Sequence, residues 1–122
     1  TMFCNCENLL TLKIDSFDTT QTEVMNSMFN YCINLKSLNL SKFNTQKVTN
    51  MCYMFLGCKN LKNLNLTSFN TENVYYIQSI FQGCRELTFI TVSSNWNINK
   101  AKKNNYAYSI FTNCGTDHVT VI

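Results

Sequence analysis

Apolar residues recur along the chain at a fixed interval of 26 residues. Each copy begins with a phenylalanine and continues with a cysteine and three apolar positions at intervals of three, three and two residues. The equivalent positions are Phe3, Phe29, Phe55 and Phe81; Cys6, Cys32, Cys58 and Cys84; Leu9, Leu35, Leu61 and Leu87; Leu12, Leu38, Leu64 and Ile90; and Ile14, Leu40, Leu66 and Val92. A period of this length indicates a solenoid, a propeller or another array of stacked units.

Each copy is predicted to contain one strand and one short helix. In "LKSLNLS", Leu38 and Leu40 alternate, which places both on one face of a strand. A strand of this kind buries its apolar side when identical copies stack into a parallel sheet. Farther along, the apolar residues follow helical spacing in two copies, namely Val48, Met51, Met54 and Phe55, and Val74, Ile77, Ile80 and Phe81. Helices are therefore expected on the side opposite the sheet.

The predicted helices have candidate capping residues at both ends. Thr45 and Thr71 are placed to act as N-caps, where a hydroxyl accepts a hydrogen bond from a free amide. The position after each helix is held by Asn5, Tyr31, Gly57, Gly83 and Asn113. Glycine and asparagine tolerate the left-handed conformation that ends a helix. Tyr31 does not tolerate this conformation as well, so the coil that contains it is expected to end differently. Thr22 stands where later copies have a valine, and this substitution predicts a looser first helix.

The repeat loses its register after Val92. Trp96 comes one residue late, and the next aromatic–cysteine pair, Phe111 and Cys114, comes 30 residues after the preceding one. These shifts indicate an insertion of about four residues and a degenerate last coil, as is common in terminal repeats. The segment 118–122 is predicted to be a fifth strand. The chain is thus expected to be a single repeat domain, with regular coils over 2–93 and an irregular C-terminal coil over 94–122.

Composition narrows the function classes. The chain has 122 residues, 45% of them hydrophobic, and a net charge of +3. Its one dense basic run, at 99–103, is interpreted as a solvated loop, so nucleic acid is not an expected partner. No stretch approaches the length of a membrane span. Because the sequence opens at Thr1 inside a repeat, we expect a fragment of a longer protein.

Five of the seven cysteines occupy the same repeat position, namely Cys6, Cys32, Cys58, Cys84 and Cys114. A ladder of buried free thiols is the favoured interpretation, since free cysteine behaves as a small apolar residue. Disulfides between neighbouring coils are the alternative. Cys4 and Cys6 form a C-x-C pair that lacks zinc-site spacing, so no metal site and no cofactor are predicted.

The sequence does not favour an enzyme. His118 is the single histidine, no carboxylate pair recurs, and three glycines do not make a phosphate-binding loop. The array does offer a surface, because residues between the core positions point outward along the sheet. The candidate ligand-binding residues on this face are Lys13, Ser37, Asn39, Asn63, Asn65, Phe89 and Thr91.

The composite unit M-F-x-x-C-x-x-L-x-x-L-x-L-[ST]-x-F-N-T-x-x-V resembles the BspA-like leucine-rich repeats, including the DUF285-type repeats of surface proteins. Residues 28–81 carry the resemblance most clearly, through "MFNYCINLKSLNLSKFNTQKV" and its copy. The resemblance implies a right-handed leucine-rich-repeat solenoid with a parallel sheet. It also implies a secreted or cell-surface location in bacteria or parasitic protists, and a role in adhesion to host matrix or to other cells.

The predicted fold is therefore an α/β leucine-rich-repeat solenoid of about four to five coils. The leading functional hypothesis is a non-enzymatic binding module whose partner is an extracellular protein or glycan. A structural spacer that binds nothing itself is the alternative. A third hypothesis is an intracellular scaffold, which would require reduced thiols and a parent protein without an export signal.

Overall fold

The computed structural model describes residues 2–122. Its regular elements are β1 (Asn63–Leu66), β2 (Phe89–Val92), α1 (Asn99–Lys103) and β3 (Thr120–Val121). The strands form one parallel sheet in the order β1-β2-β3. Asn63 lies opposite Phe89, and Thr91 lies opposite Thr120. β3 falls within 118–122, where the sequence predicts a strand.

The chain is conveniently divided into units 1 to 5, which begin at Met2, Met28, Met54, Ile80 and Ile110. The strands belong to units 3, 4 and 5, and the predicted strand positions 12–14 and 38–40 of units 1 and 2 lie outside them. Units 1 and 2 are joined nearby by the hydrogen bond from Lys36 N to Leu10 O, at 3.3 Å. Leu40 is buried and Leu38 packs against the core, so the predicted apolar face is kept without a strand.

The segments predicted to be helices are instead a ladder of turns. Residues 52–57 and 78–83 are turns, and α1 is the one α-helix in the described part of the chain. Alternate backbone N–H groups donate to the neighbouring unit, as from Met51 to Tyr76 O at 2.8 Å and from Tyr53 to Gln78 O at 3.1 Å. In an α-helix these groups would bond to carbonyls four residues back. The prediction of helices over 48–55 and 74–81 is therefore wrong. We call residues 25–31, 51–57, 77–83 and 107–113 the turn ladder.

Left-handed residues explain why the turn ladder does not become helical. Two occur in each segment, four residues apart, as at Tyr53 and Gly57, with φ of 58° and 72°. A residue in this region interrupts a right-handed helix. Tyr31 has φ of 55° at the predicted cap position, so its coil ends like the others and the exception expected there is wrong. A Cβ on Gly57 would lie 2.7 Å from Cδ1 of Tyr31, so this glycine makes room for the tyrosine ring.

A column of stacked aromatic rings runs through the core. The ring centroids of Phe29 and Phe55 are 5.6 Å apart, and those of Phe55 and Phe81 are 5.9 Å apart. All three side chains are completely buried. Trp96 stacks on Phe81 at 6.3 Å, so the residue that is late in the sequence register still packs against this column.

The buried threonines link neighbouring units and do not cap helices. Thr45 Oγ1 accepts a hydrogen bond from Asn70 N at 2.8 Å and donates one to Asn70 O at 2.8 Å. Thr71 makes the same pair of bonds with Asn97, at 2.6 and 3.0 Å. The local turn is capped by the preceding asparagine, since Gln46 N donates to Asn44 Oδ1 at 3.0 Å. The predicted N-cap role of Thr45 and Thr71 is therefore wrong, although both hydroxyls are buried.

The first helix, expected to be looser at Thr22, does not form, since residues 22–31 contain turns and no helix. Thr22 N donates to Thr19 O at 3.0 Å, and Val48 N and Val74 N donate to Thr45 O and Thr71 O at the same distance. The turn therefore depends on the backbone and on the threonine three residues earlier. Thr22 is only partly buried, whereas Val48 and Val74 are completely buried.

We expect Thr45→Val to lower the free energy of unfolding by about 1–3 kcal/mol, because the backbone N–H and C=O of Asn70 lose their shared partner while the buried volume stays nearly constant. Urea denaturation of the two proteins would measure the difference. Thr20→Val is the matched control, since the Thr20 hydroxyl bonds to Asp18 at the exposed surface. Its effect should stay within about 0.5 kcal/mol. Equal effects of the two substitutions would contradict the assigned role of Thr45.

The insertion in unit 4 lengthens the separation between hydrogen-bonded residues of units 4 and 5. Between units 3 and 4, donor and acceptor of the turn ladder are 25 positions apart, as for Phe55 N and Ile80 O. Between units 4 and 5 the separation is 29, as for Phe81 N and Ile110 O at 3.2 Å. The four additional residues fall in the segment that contains α1, whose Ala101 is completely buried. The run at 99–103, interpreted from the sequence as a loop, is thus a short helix.

Candidate binding surface

The sheet face consists of the seven residues predicted to bind ligand, namely Lys13, Ser37, Asn39, Asn63, Asn65, Phe89 and Thr91. All are exposed except Thr91, which is partly buried. In β1, exposed Asn63 and Asn65 alternate with buried Leu64 and Leu66. The parallel register places Asn65 opposite Thr91. Four of the seven therefore lie together on β1 and β2, while Lys13, Ser37 and Asn39 lie in units 1 and 2.

Two residues of the sheet face also stabilise local turns. Asn65 Oδ1 accepts hydrogen bonds from Thr67 N at 3.0 Å and Thr67 Oγ1 at 2.7 Å. Asn39 Oδ1 accepts one from Ser41 N at 3.1 Å, and Asn39 Nδ2 donates to Asp15 Oδ1 at 3.0 Å. These bonds form Asx-type turns after the strand positions. Both asparagines therefore have a structural role whether or not a ligand contacts them.

Phe89 stands out from the polar sheet face. It lies on the central strand β2, and 58% of its surface is exposed. Its neighbour across the sheet is Asn63. The preceding copies carry Ser37 and Asn63 at this repeat position. Since a small polar side chain suits the position, the aromatic ring is not required by the fold.

The cysteine ladder is a row of hydrogen-bond donors. Within residues 2–122 all seven cysteines are free. Cys58 Sγ donates to Phe29 O at 3.1 Å, and Cys84 Sγ donates to Phe55 O at 3.0 Å. Burial raises the pKa of Cys84 to about 12 and that of Cys58 further. A nucleophilic cysteine needs a lowered pKa, and burial shifts the pKa of these thiols in the opposite direction.

His118 lies at the surface beside an acidic residue. Its Nδ1 is 2.8 Å from Asp117 Oδ1, and both side chains are highly exposed. The hydrogen bond from His118 lowers the pKa of the Asp117 carboxyl. Oγ1 of Thr116 is 3.4 Å from the same Nδ1. The part of the chain that the structure describes contains no cluster of three or more His, Cys, Asp or Glu residues suited to a metal ion.

A second surface, which the sequence-based list of candidate residues does not include, carries four partly exposed tyrosines. This tyrosine patch consists of Tyr75, Tyr76, Tyr106 and Tyr108. The rings of Tyr76 and Tyr106 are 4.7 Å apart and tilted by 58°. Lys100 Nζ lies 5.4 Å from the centre of the Tyr75 ring. The loss of register after Val92 is the sequence signal that could have pointed here, because Tyr106 and Tyr108 follow the insertion.

Comparison with known proteins identifies the family. No curated protein and no solved structure matches the chain. In residues 2–122, none of the helices is both long enough and apolar enough to cross a membrane. A family described as "Mycoplasma protein of unknown function, DUF285" matches residues 1–119. The match extends over nearly the whole repeat array, and the chain belongs to the DUF285 family.

Proposed function

We propose that the chain is a non-enzymatic binding module of a secreted or cell-surface protein. In this proposal the stacked units form a BspA-like leucine-rich-repeat solenoid, with turns in place of helices on the side opposite the sheet. The sheet face contacts an extracellular protein or glycan. The resemblance of residues 28–81 to surface-protein repeats supports the location.

Phe89 is the observation that carries the proposal. An exposed aromatic ring on the central strand gains more from being covered by a partner than any other side chain of the sheet face. Buried positions keep nearly the same residue from unit to unit, whereas the exposed row contains Thr11, Ser37, Asn63 and Phe89. Greater variation in the exposed row than in the core is what selection for a specific contact would leave on a repeated scaffold.

Binding to a panel of purified extracellular-matrix proteins and glycans, measured by surface plasmon resonance, tests the proposal. Asn63→Arg and Phe89→Arg should each weaken saturable binding by at least about tenfold. These positions avoid Asn39 and Asn65, whose side chains cap turns. Gln46→Arg is the control, because it adds the same charge at an exposed position outside the sheet face. Equal binding by all four proteins would exclude the sheet face as the contact.

A structural spacer is the second candidate function. The repeated hydrogen bonds made by Asn39 and Asn65 favour it, because they account for two exposed asparagines without a ligand. A spacer would show no saturable binding to any member of the panel. It would leave Phe89 unexplained, which is why we rank it second.

A further inference from the structure

We propose that the tyrosine patch and helix α1 form a second binding site, for an anionic sugar of a glycan chain. This site lies on the turn ladder and not on the sheet face, since Ile77 N and Ser79 N donate to Tyr106 O and Tyr108 O. It therefore goes beyond the proposed function and does not depend on it.

The insertion in unit 4 is the first support. A regular unit stacks without these residues, so the fold alone does not need α1. Insertions in repeat arrays commonly lie on one face, which is often the face that binds. α1 carries Lys100, Lys102 and Lys103 and no acidic residue. Within residues 2–122 none of these lysines makes an ion pair, so their charge is available to an anion.

The second support is an open cavity of about 390 Å³ beside α1. It is lined by Lys102, Asn105, Ala107 and Tyr108. Cavities from about 300 Å³ upward accommodate small ligands. A cation, an amide, a small apolar side chain and an aromatic ring match the groups of an acidic sugar. The ammonium group pairs with a carboxylate or sulfate, the amide bonds to hydroxyls, and the ring lies against the C–H face of the pyranose.

The neighbouring groups hold the site in place. Lys100 Nζ donates to Asn73 Oδ1 at 3.1 Å and lies above the Tyr75 ring, so α1 is fastened to unit 3. Ala101 is completely buried in the core and anchors the same helix there. Lys102 is exposed and lines the cavity. Because its support is ordered, the ligand would not need to organise the site on binding.

An acidic protein surface fits this site less well. Specific protein interfaces cover roughly 800 Å² on each partner and have an apolar centre from which lysine is depleted. Here the open cavity is lined by a lysine and an asparagine beside one alanine and one aromatic ring. Tyr108 lines this cavity, and the paired rings of Tyr76 and Tyr106 would contact the next sugar of the chain.

Isothermal titration calorimetry with three tetrasaccharides tests the inference. Chondroitin 4-sulfate carries sulfates and carboxylates, hyaluronan carries carboxylates alone, and chitotetraose is neutral. We expect at least one anionic tetrasaccharide to bind at least about tenfold more tightly than chitotetraose. Binding of hyaluronan would identify the carboxylate as sufficient, whereas binding of chondroitin 4-sulfate alone would identify the sulfate.

Substitutions locate the contact. Lys102→Gln and Tyr108→Ala should each weaken binding at least about tenfold, while Lys103→Gln, which removes the same charge from the same helix outside the cavity, should weaken it less than about threefold. Tyr108→Phe keeps the ring and should retain binding, which separates loss of the ring from loss of folding.

Four results would overturn the inference. They are equal binding of chitotetraose, equal losses for Lys102→Gln and Lys103→Gln, competition by a poly-glutamate peptide as strong as by the glycan, and no binding at millimolar concentration. Competition by the peptide would redirect the site to acidic proteins. None of these results bears on the sheet face.

Discussion

Phe55→Ala should lower the free energy of unfolding by about 3–5 kcal/mol, the range for deleting a buried aromatic ring. Phe55 is completely buried and stacks on Phe29 and Phe81 with centroid distances of 5.6 and 5.9 Å. Phe29 belongs to unit 2 and Phe81 to unit 4, the units on either side of Phe55. The cavity left by the Phe55 ring would therefore weaken the contacts of unit 3 with both of its neighbours. A domain of this size has a total stability of about 5–15 kcal/mol. The substitution would therefore remove a large share of it.

Phe89→Ala is the matched control, because it deletes the same atoms from an exposed ring. Its cost should be within about 0.5 kcal/mol. Urea denaturation followed by both circular dichroism and Trp96 fluorescence would measure both variants, since Trp96 stacks on the same column through Phe81. Similar losses for Phe55→Ala and Phe89→Ala would show that the aromatic column does not hold the units together.

The core could be predicted from the sequence because its signal is repeated. Phe29, Cys32 and Leu35 and their copies one and two periods on are completely buried, as the 26-residue pattern indicates. One occurrence of this spacing would be weak, but each further copy has to satisfy the same contacts in the same order. In unit 1 the equivalents Phe3, Cys6 and Leu9 are partly buried. Within the described residues they have a neighbouring unit on one side only.

The conformation of the turn ladder could not be predicted in the same way. Val48, Met51, Met54 and Phe55 satisfy helical spacing, yet the same residues reach the core from successive turns. The difference lies in left-handed residues such as Tyr53 and Ser79, whose side chains give no sign of that conformation. Backbone hydrogen bonds to the next unit compensate the cost of this conformation, and the acceptor lies 25 residues away for Tyr53 and 29 for Ser79.

The threonine positions show a related limit. A hydroxyl that caps a helix and one that joins two units occupy the same place in the sequence.

The alternation of Leu64 and Leu66 with Asn63 and Asn65 is a local property, and the exposed side of the sheet could be predicted from it. The tyrosine patch is not local. It forms because the insertion in unit 4 brings Tyr106 beside Tyr76, 30 residues earlier, and a strict 26-residue pattern contains no information about this longer spacing.

The protein is expected to lose stability steeply above about pH 9, because an unfolded cysteine thiol has a pKa of about 8.5. Burial raises the pKa of Cys84 to about 12 and raises that of Cys58 as well. Between these pH values the unfolded chain releases thiol protons that the folded chain keeps, so the free energy of unfolding falls as pH rises. Each thiol contributes about 1.4 kcal/mol per pH unit, so Cys58 and Cys84 together contribute about 3 kcal/mol per unit. Their full contribution is present below about pH 8.5.

Urea denaturation at pH 7, 9, 10 and 11 under reducing conditions would measure this slope. Tyrosine and lysine also titrate in this range, so the informative comparison is with Cys84→Ala, which keeps every other titrating group. Cys84→Ala should be less stable at pH 7, since it loses the bond to Phe55 O. Its slope above pH 9 should be shallower by about 1.4 kcal/mol per pH unit. Parallel slopes would mean that Cys84 ionises equally in both states, and the buried thiol ladder would have to be abandoned as the source of alkaline instability.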